Sequence, residues 1–394
     1  MNLKQKKENS ISIIGAAGHI GLPLSFLLAK HKFNVVGIDK DSKKIEMINK
    51  RKMPFMENNL KELFLNKKLK IKLTENINEI KKTKYIIVTL GTPIDEYLNP
   101  SYSSFFKVID KIINLLDDSQ ILILRSTLAP GTTRKILEKI KNKKLKVGVA
   151  FCPERITQGF AVKEIYKLPQ IISYSDERAR KGCRKIFLKF NKNLFECSFE
   201  EAEVTKLFCN SWRYIKFAIA NEFYKICKIN NLNFNKIRDA MSFNYPRGKD
   251  VPKSGFTAGP CLLKDTMQLS SFSREHFTFG NAAMLVNETL PEFIIQEAKK
   301  EVNLKKKNIL IMGMAFKADN DDVRDSLSFR LKKKLLLESP NVYCHDPHIE
   351  MYNKNNLKDL IKKCQIIFIG CPHTKYKNIR FPKNKRIIDC WGIF

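Results

Sequence analysis

The sequence predicts an α/β protein in which two parallel-sheet domains are joined by a central helical region. Short apolar runs, each followed by a helix-length segment, indicate the first sheet domain over residues 1–200. Helical patterning dominates residues 201–300, and the alternation of strand and helix starts again over residues 301–394. A chain of 394 residues is long enough for three domains and a sizeable core.

A glycine-rich turn in the first domain indicates a dinucleotide site. It lies between a buried strand at residues 12–14 and an apolar helix at residues 22–29, and the next strand, residues 34–38, ends in Asp39. Backbone N–H groups at the start of such a helix face a pyrophosphate, as in Rossmann-like domains. Because an acid accepts hydrogen bonds from a ribose and repels a 2′-phosphate, we expect NAD. The turn residues expected to bind it are Gly15, Gly18, His19, Ile20 and Gly21.

The spacing of this turn leaves two questions open. It is G-x-x-G-x-x-G, one residue longer than the plainer G-x-G-x-x-G, so the detailed fit to a pyrophosphate is not settled by the pattern. A plain tight turn between strand and helix is the competing interpretation. The acid at the end of the second strand favours the dinucleotide site.

Three further apolar runs, at residues 85–89, 121–124 and 147–151, predict strands that are buried on both faces, as in a parallel sheet covered by helices. Ligands bind at the carboxyl ends of such strands. We therefore expect Thr92, Thr127 and Glu154 to converge on one crevice. Helix capping is the alternative for Thr127, and a role as an exposed loop acid is the alternative for Glu154.

The net charge of +32 comes from lysines spread along the whole chain. We interpret them as solvated residues of a compositional bias and expect neither a nucleic-acid nor a membrane partner. No apolar run approaches the roughly 20 residues that a membrane helix needs. The charged segment at residues 1–10 precedes only a short apolar stretch, so a cleaved signal peptide is not expected.

The ten cysteines show neither a disulfide framework nor paired C-x-x-C zinc motifs, so we expect reduced thiols in the cytoplasm and no metal site. Cys261 alone lies in a Gly/Pro-rich turn with Lys264 and Asp265 close behind it. A neighbouring ammonium favours the reactive thiolate, although free cysteines are more often buried and inert. Lys206 and Asn210 are four residues apart in a predicted helix and share one of its faces.

Several of these segments, taken in order, resemble the nucleotide-sugar dehydrogenases, which include UDP-glucose, GDP-mannose and UDP-N-acetylmannosamine dehydrogenases. The resemblance extends over essentially the whole chain. The segments that carry it are residues 15–23, 91–93, 125–133, 152–155, 206–210, 255–265, 313–317 and 324–326.

The resemblance implies a four-electron oxidation of a sugar C6 alcohol to a carboxylate by two NAD. Cys261 would add to the intermediate aldehyde and form a thiohemiacetal, which is oxidised to a thioester and hydrolysed. It also implies that Lys206 stabilises the oxyanion with help from Asn210, and that Glu154 acts as base toward a water positioned by Thr127 and Asp265.

Further contacts are implied by the same resemblance. Arg247 would reach a substrate bound to the neighbouring subunit of a homodimer or larger homo-oligomer. The last domain would bind the nucleotide of the sugar. The implied cofactor contacts beyond the turn and Asp39 are Thr92, Pro93, Thr127 and Lys264, and the implied substrate contacts are Glu154, Arg155, Lys206, Asn210, Arg247, Gly259, Lys317 and Arg324.

The identity of the sugar rests on two signals that disagree. Residues 152–155 resemble the branch that acts on UDP-N-acetylhexosamines, whereas Lys264 and Asp265 resemble the UDP-glucose branch. We expect UDP-N-acetyl-D-mannosamine, with UDP-glucose as the alternative. A two-electron NAD-dependent nucleotide-sugar oxidoreductase or epimerase is a competing interpretation, and a non-catalytic basic nucleotide-binding protein is a competitor from a different class.

Overall fold

A computed structural model describes residues 7–69, 71–274 and 276–394. The expectation that no signal peptide is present rests in part on residues 1–6, which lie outside the described residues. Contacts divide the chain into two compact units, Met1–Phe208 and Cys209–Phe394. Within the described ranges, no helix is both long and apolar enough to cross a membrane.

The first unit is built on an eight-stranded sheet in the order β3-β2-β1-β4-β5-β6-β7-β8. Strands β1 to β6 are parallel, in the doubly wound order of dinucleotide-binding domains. Strand β7 is antiparallel to β6, so the last two strands reverse the direction of a sheet that is otherwise parallel as predicted. The strands are β1 Ser10–Ile14, β2 Asn34–Ile38, β3 Ile71–Thr74, β4 Tyr85–Val88, β5 Ile121–Leu124, β6 Gly148–Phe151, β7 Gln170–Tyr174 and β8 Leu194–Glu196.

Helices cover both faces of this sheet. Alternate residues of the strands enter two separate apolar clusters, because successive side chains of a strand point to opposite faces. Helices α1 and α7 pack on one face, and α4 and α5 pack on the other. The helices of this part are α1 Gly21–Lys30, α2 Ser42–Asn49, α3 Leu60–Leu65, α4 Ser103–Ile113, α5 Thr132–Asn142, α6 Ala161–Lys167 and α7 Glu177–Phe187.

The second unit contains a parallel four-stranded sheet in the order β10-β9-β11-β12. Its strands are β9 Ile309–Met312, β10 Val342–His345, β11 Ile366–Ile369 and β12 Arg386–Ile388. A long helix, α8 Phe199–Ile229, passes through the boundary between the units and begins the predicted helical region. The other helices are α9 Phe234–Ser242, α10 Leu262–Phe272, α11 Thr278–Glu301, α12 Leu327–Glu338 and α13 Leu357–Lys363.

Candidate active site

The glycine turn between β1 and α1 leaves no room for side chains at two positions. Gly15 has a φ of 85°, and a Cβ there would lie 3.0 Å from Oγ1 of Thr89. A Cβ on Gly21 would lie 2.2 Å from the carbonyl oxygen of Gly15. The N–H of Gly18 donates to the same carbonyl at 3.2 Å, which closes the turn around its extra residue. The turn therefore forms a cradle that a Cβ would fill, as a pyrophosphate site requires.

Asp39 lies directly after β2 and faces this turn. Its Oδ2 accepts a hydrogen bond from the N–H of Ala17 at 2.9 Å, and its Oδ1 accepts one from the N–H of Asp41 at 3.1 Å. These bonds orient the carboxylate, and a carboxylate oxygen can accept more than one hydrogen bond. The position therefore fits an acceptor for the ribose hydroxyls of NAD.

The ends of β4 and β5 meet as the sequence predicts. Oγ1 of Thr92 donates to the carbonyl oxygen of Thr127 at 2.7 Å. Pro93 follows Thr92 and is exposed. The loop after β4 is thereby tied to the loop after β5 at the carboxyl edge of the sheet.

Glu203, which sequence reasoning missed, caps the helix that follows Thr127. Its two carboxylate oxygens accept from the N–H of Gly131 at 2.6 Å and from the N–H and hydroxyl of Thr133 at 2.7 and 2.6 Å. Glu203 comes from α8 and is fully buried. The interpretation of Thr127 as the cap of α5 is therefore wrong, because a distant carboxylate satisfies these N–H groups.

Glu154 is buried at the end of β6 and forms an ion pair with Arg125 at the end of β5. Its Oε1 also accepts from the N–H groups of Arg155 and Ile156 at 2.8 and 3.0 Å. Burial alone raises the pKa of this carboxyl group, but the charge and hydrogen bond of Arg125 and the two N–H groups outweigh it, so the pKa is lowered. The alternative of an exposed loop acid is wrong.

Arg125 is a second buried partner that the sequence pattern does not predict. Its side chain is fully buried, and its guanidinium lies 4.8 Å from the ring centroid of Phe187. Both terminal nitrogens also lie 3.4 Å from Oε1 of Gln170. The predicted substrate contact Arg155 instead donates to the carbonyl oxygen of Pro169.

Lys206 is buried on α8, and its ammonium has no hydrogen bond or ion pair among the described residues. The ammonium nitrogen is not among the fully buried polar atoms that lack a partner, so the charged end of the side chain stays accessible to solvent or to a ligand. This environment differs from the solvated surface position that a lysine ordinarily occupies. The side chain of Lys206 is therefore largely buried while its ammonium stays accessible.

Asp265 is fully buried in the first turn of α10 and has two partners from the predicted set. Nδ2 of Asn210 donates to its Oδ2 at 2.6 Å, and the ammonium of Lys264 pairs with its Oδ1. The structure thus brings Asn210, Lys264 and Asp265 together. The charge of Lys264 is directed at this carboxylate.

Cys261 is exposed at the N-terminus of α10, whereas the other nine cysteines are buried or half-buried. The start of a helix favours an anion, and hence a thiolate, through its unpaired N–H groups and its dipole. Two residues earlier, Gly259 has a φ of 102°, and a Cβ there would lie 2.5 Å from the ring of Phe316. The nucleophile candidate therefore stands in a backbone segment that only glycine permits.

Arg324 lies in the loop that follows β9. Its Nε and Nη2 donate to the carboxylate of Asp322 at 3.0 and 2.6 Å. This hydrogen bond is the main cause of the raised pKa of Arg324, and the charge of Cys261 contributes in the same direction. Arg324 therefore lies close enough to Cys261 for the charges of the two groups to interact. Lys317, from the same loop, is half-buried.

Arg247 lies on an exposed turn after α9. Its Nε donates to the hydroxyl of Tyr245 at 2.9 Å, and its guanidinium stacks on the ring of that tyrosine. The side chain is thus exposed at the surface.

A histidine cluster in the last domain was not singled out from the sequence. Asp319, His348 and His373 each place one possible metal ligand within 4.8 Å of the others. Nε2 of His373 lies 2.9 Å from Oδ2 of Asp346, and Nδ1 accepts from the N–H of Asp319 at 2.9 Å. Because both ring nitrogens of His373 are already hydrogen-bonded, we assign the cluster to linking the loops after β9, β10 and β11.

Three family models match this chain, and together they extend over most of it. They are the NAD binding domain, the central domain and the UDP binding domain of the UDP-glucose/GDP-mannose dehydrogenase family, at residues 9–191, 200–289 and 310–394.

Individual relatives match along most of their length. A UDP-N-acetyl-D-mannosamine dehydrogenase of Methanocaldococcus jannaschii is 28% identical over 97% of this chain and 92% of the relative. A UDP-glucose 6-dehydrogenase of Rickettsia bellii is 27% identical over 86% of this chain and 81% of the relative. The solved structure of UDP-D-ManNAc dehydrogenase from Pyrococcus horikoshii is 26% identical, with a TM-score of 0.89 over 98% of this chain and 96% of that chain.

Proposed function

We propose a substrate and a catalytic route for this chain, which belongs to the UDP-glucose/GDP-mannose dehydrogenase family. It is an NAD-dependent nucleotide-sugar dehydrogenase with a UDP-binding domain. The proposed substrate is UDP-N-acetyl-D-mannosamine, oxidised at C6 to the uronic acid. Relatives of that name and the residues Cys152-Pro153-Glu154-Arg155 support it.

The observation that carries the proposed route is the exposure of Cys261 at the start of α10. NAD supplies the acceptor for a hydride in each of the two oxidations. The first removes a hydride and a proton from the C6 alcohol and leaves an aldehyde. The thiolate then adds to the aldehyde carbon, and loss of a second hydride from that carbon converts the thiohemiacetal to a thioester.

The polar residues have separate proposed roles in this route. Lys206 and Asn210 stabilise the oxyanion on the sugar carbon. Water then adds to the thioester, the C–S bond breaks, and the thiolate and the free acid are released. Glu154 accepts a proton from this water, which Thr127 and Asp265 position. Because the pKa of Glu154 is lowered, the group is ionised near neutral pH and is ready to accept a hydrogen bond.

We propose a separate role for each of the three parts of the chain. Within residues 1–200, the proposed NAD contacts are the glycine turn, Asp39, Thr92, Pro93 and Thr127, and Lys264 is a further proposed contact. Residues 201–300 form a subunit contact and carry Cys261. Residues 301–394 hold the UDP group with Lys317 and Arg324, and Arg155, Gly259 and Arg247 contact the sugar nucleotide.

A homodimer is the proposed assembly, and an exposed apolar face of α8 supports it. Trp212, Ile219, Phe223 and Ile226 are 38% to 57% exposed and fall on one side of the helix by their spacing. Arg247 of one subunit would contact substrate on the other. Sedimentation of the wild-type protein at low and high concentration tests the assembly. The Ile219→Lys variant should remain monomeric at both concentrations.

A cytoplasmic location is also proposed, because all ten cysteines are free thiols.

The decisive experiment measures NADH formed per sugar consumed, with UDP-N-acetyl-D-mannosamine, UDP-glucose and other nucleotide sugars. We expect two NADH per molecule of UDP-N-acetyl-D-mannosamine and a carboxylate product. One NADH or none would indicate the two-electron oxidoreductase or the epimerase. A kcat/KM that is higher with UDP-glucose than with UDP-N-acetyl-D-mannosamine would identify UDP-glucose as the substrate instead.

A covalent adduct tests the role of the thiol. Rapid quenching followed by intact-protein mass spectrometry should detect a sugar nucleotide attached to Cys261. Cys261→Ser should bind nucleotide and form no acid, while the control Cys197→Ser, at a half-buried thiol, should keep activity. Acid formation by Cys261→Ser at the wild-type rate rules out the covalent route.

A further inference from the structure

Asn221 of α8 holds the segment that leads to Cys261. This segment, residues 254–261, is the cysteine loop. Oδ1 of Asn221 accepts from the N–H of Gly255 at 2.8 Å, and its Nδ2 donates to the carbonyl oxygen of Gly255 at 3.0 Å. One side-chain amide thus satisfies both main-chain polar groups of the first glycine in the loop.

The oxygen and both N–H groups of the Asn221 side-chain amide have hydrogen-bond partners within the protein. The second N–H of Nδ2 donates to Oδ1 of Asn287 on α11 at 2.9 Å. Asn221 and Asn287 are both fully buried. Buried amides are stable only when they are hydrogen-bonded, so the position of Gly255 depends on this network.

Gly255 itself cannot be replaced by a residue that would hold the loop through packing. Its φ is 140°, and a Cβ would lie 2.2 Å from the indole of Trp391. The neighbouring Ser254 donates from Oγ to the carbonyl oxygen of Cys390 at 2.6 Å. The start of the cysteine loop therefore lies between the side-chain amide of Asn221 on one side and the C-terminal segment with Cys390 and Trp391 on the other.

The other end of the cysteine loop contacts the last domain, residues 301–394. The N–H of Gly259 lies 3.4 Å from the carbonyl oxygen of Asp325, and Phe316 occupies the space a Cβ of Gly259 would need. Residues 254–259 belong to no helix or strand. Because regular hydrogen bonding does not hold this segment, its tertiary contacts determine where the thiol stands.

We propose that Asn221 is a positioning residue for Cys261: its amide fixes Gly255, and the fixed loop presents the thiol for addition to the aldehyde. The proposal rests on the proposed function, in which Cys261 is the nucleophile. Asn221 acts through the loop and contacts Gly255 and Asn287, not the reacting atoms. Its loss should therefore affect the covalent steps more than the binding of NAD.

Two substitutions remove the amide in different ways. Asn221→Ala removes all three hydrogen bonds, and Asn221→Asp keeps the shape but cannot donate to the carbonyl oxygen of Gly255 or to Asn287. Asn230→Ala is the matched control, because Asn230 is an exposed asparagine at the end of the same helix whose Nδ2 donates only to the carbonyl oxygen of Ile226.

Three readouts separate positioning from a general loss of structure. For both Asn221 variants we expect kcat for acid formation to fall at least about tenfold while KM for NAD stays within about twofold. The rate of Cys261 alkylation by iodoacetamide, followed by peptide mass spectrometry, should also change several-fold. Asn230→Ala should match wild type in all three.

The result that overturns the proposal is a folded Asn221→Ala protein with wild-type kcat and wild-type alkylation at Cys261. If Cys261→Ser is inactive in the same assays, that result rejects the positioning role and leaves the nucleophile in place. If Cys261→Ser is fully active, the proposed function itself fails.

Hydrogen exchange in the wild-type protein provides a test that does not depend on folding of the variants. The amide of Gly255 should exchange as slowly as amides of β9, because its N–H is buried and bonded to Asn221. Exchange as fast as that of the exposed turn at residues 246–249 would contradict a fixed loop.

Discussion

Arg125 and Glu154 form a buried ion pair that joins the ends of two neighbouring strands, β5 and β6, at the edge of the sheet where ligands bind. Arg125 has no exposed side-chain surface and Glu154 has 5%. A charge pair in this position is costly to form and still more costly to break. The pair therefore links the stability of the first unit to the charge of the carboxyl group that we propose as the base.

Arg125→Met should destabilise the protein strongly. The substitution leaves the Glu154 carboxylate buried without its counter-charge, and breaking such pairs costs about 3 to 5 kcal/mol. Urea unfolding at neutral pH measures the loss. The control is Arg134→Met, because Arg134 pairs with Glu200 at the exposed surface and its removal should leave the unfolding free energy nearly unchanged. Equal effects of the two substitutions would contradict this account.

The pH dependence of stability should report the lowered pKa of Glu154. A carboxyl group whose folded pKa lies below its ordinary value of 4.5 stabilises the fold above that value, and the contribution is lost as pH falls through the folded pKa. The difference in unfolding free energy between wild type and Glu154→Gln should therefore be largest near neutral pH and narrow below about pH 4.5. A difference that stays constant on acidification would show that the carboxyl group is not held ionised.

Asp39→Asn should weaken the preference for NAD over NADP. Removal of the negative charge removes the repulsion of a 2′-phosphate, so the ratio of kcat/KM for NAD to that for NADP should fall by about tenfold or more. Asp41→Asn is the matched control, since Asp41 caps α2 by accepting from the N–H of Lys44. An unchanged ratio in the Asp39 variant would place the ribose elsewhere.

Glu203→Ala should loosen the segment that contains Thr127. It removes three hydrogen bonds to Gly131 and Thr133, and bonds to a buried carboxylate contribute about 1.5 to 3 kcal/mol each, partly offset because burial raises the pKa of Glu203. We expect a lower unfolding free energy and faster amide exchange at Gly131 and Thr133. Glu201→Ala, at an exposed residue bonded only to Ser198, should change neither amide.

Much of the sheet could be predicted because each strand is a local apolar run. The strand predicted at residues 34–38 is confirmed as β2, and the helix predicted at residues 22–29 is one residue shorter than α1 at each end. The reversed strands β7 and β8 were not predicted, because strand direction depends on connections and not on apolar pattern. The polar partners could not be predicted either, since Arg125 and Glu154 are 29 residues apart.

The sequence by itself determined the glycine turn, the acid after β2, the succession of strands and helices, and the cysteine that stands apart from the other nine. These are local features, and local spacing and propensity are sufficient to specify them. Only the tertiary structure decided which polar groups pair: Arg125 with Glu154, Asn210 with Asp265, and Asn221 with Gly255. Burial makes each of these pairings obligatory, and burial arises only when distant segments pack together.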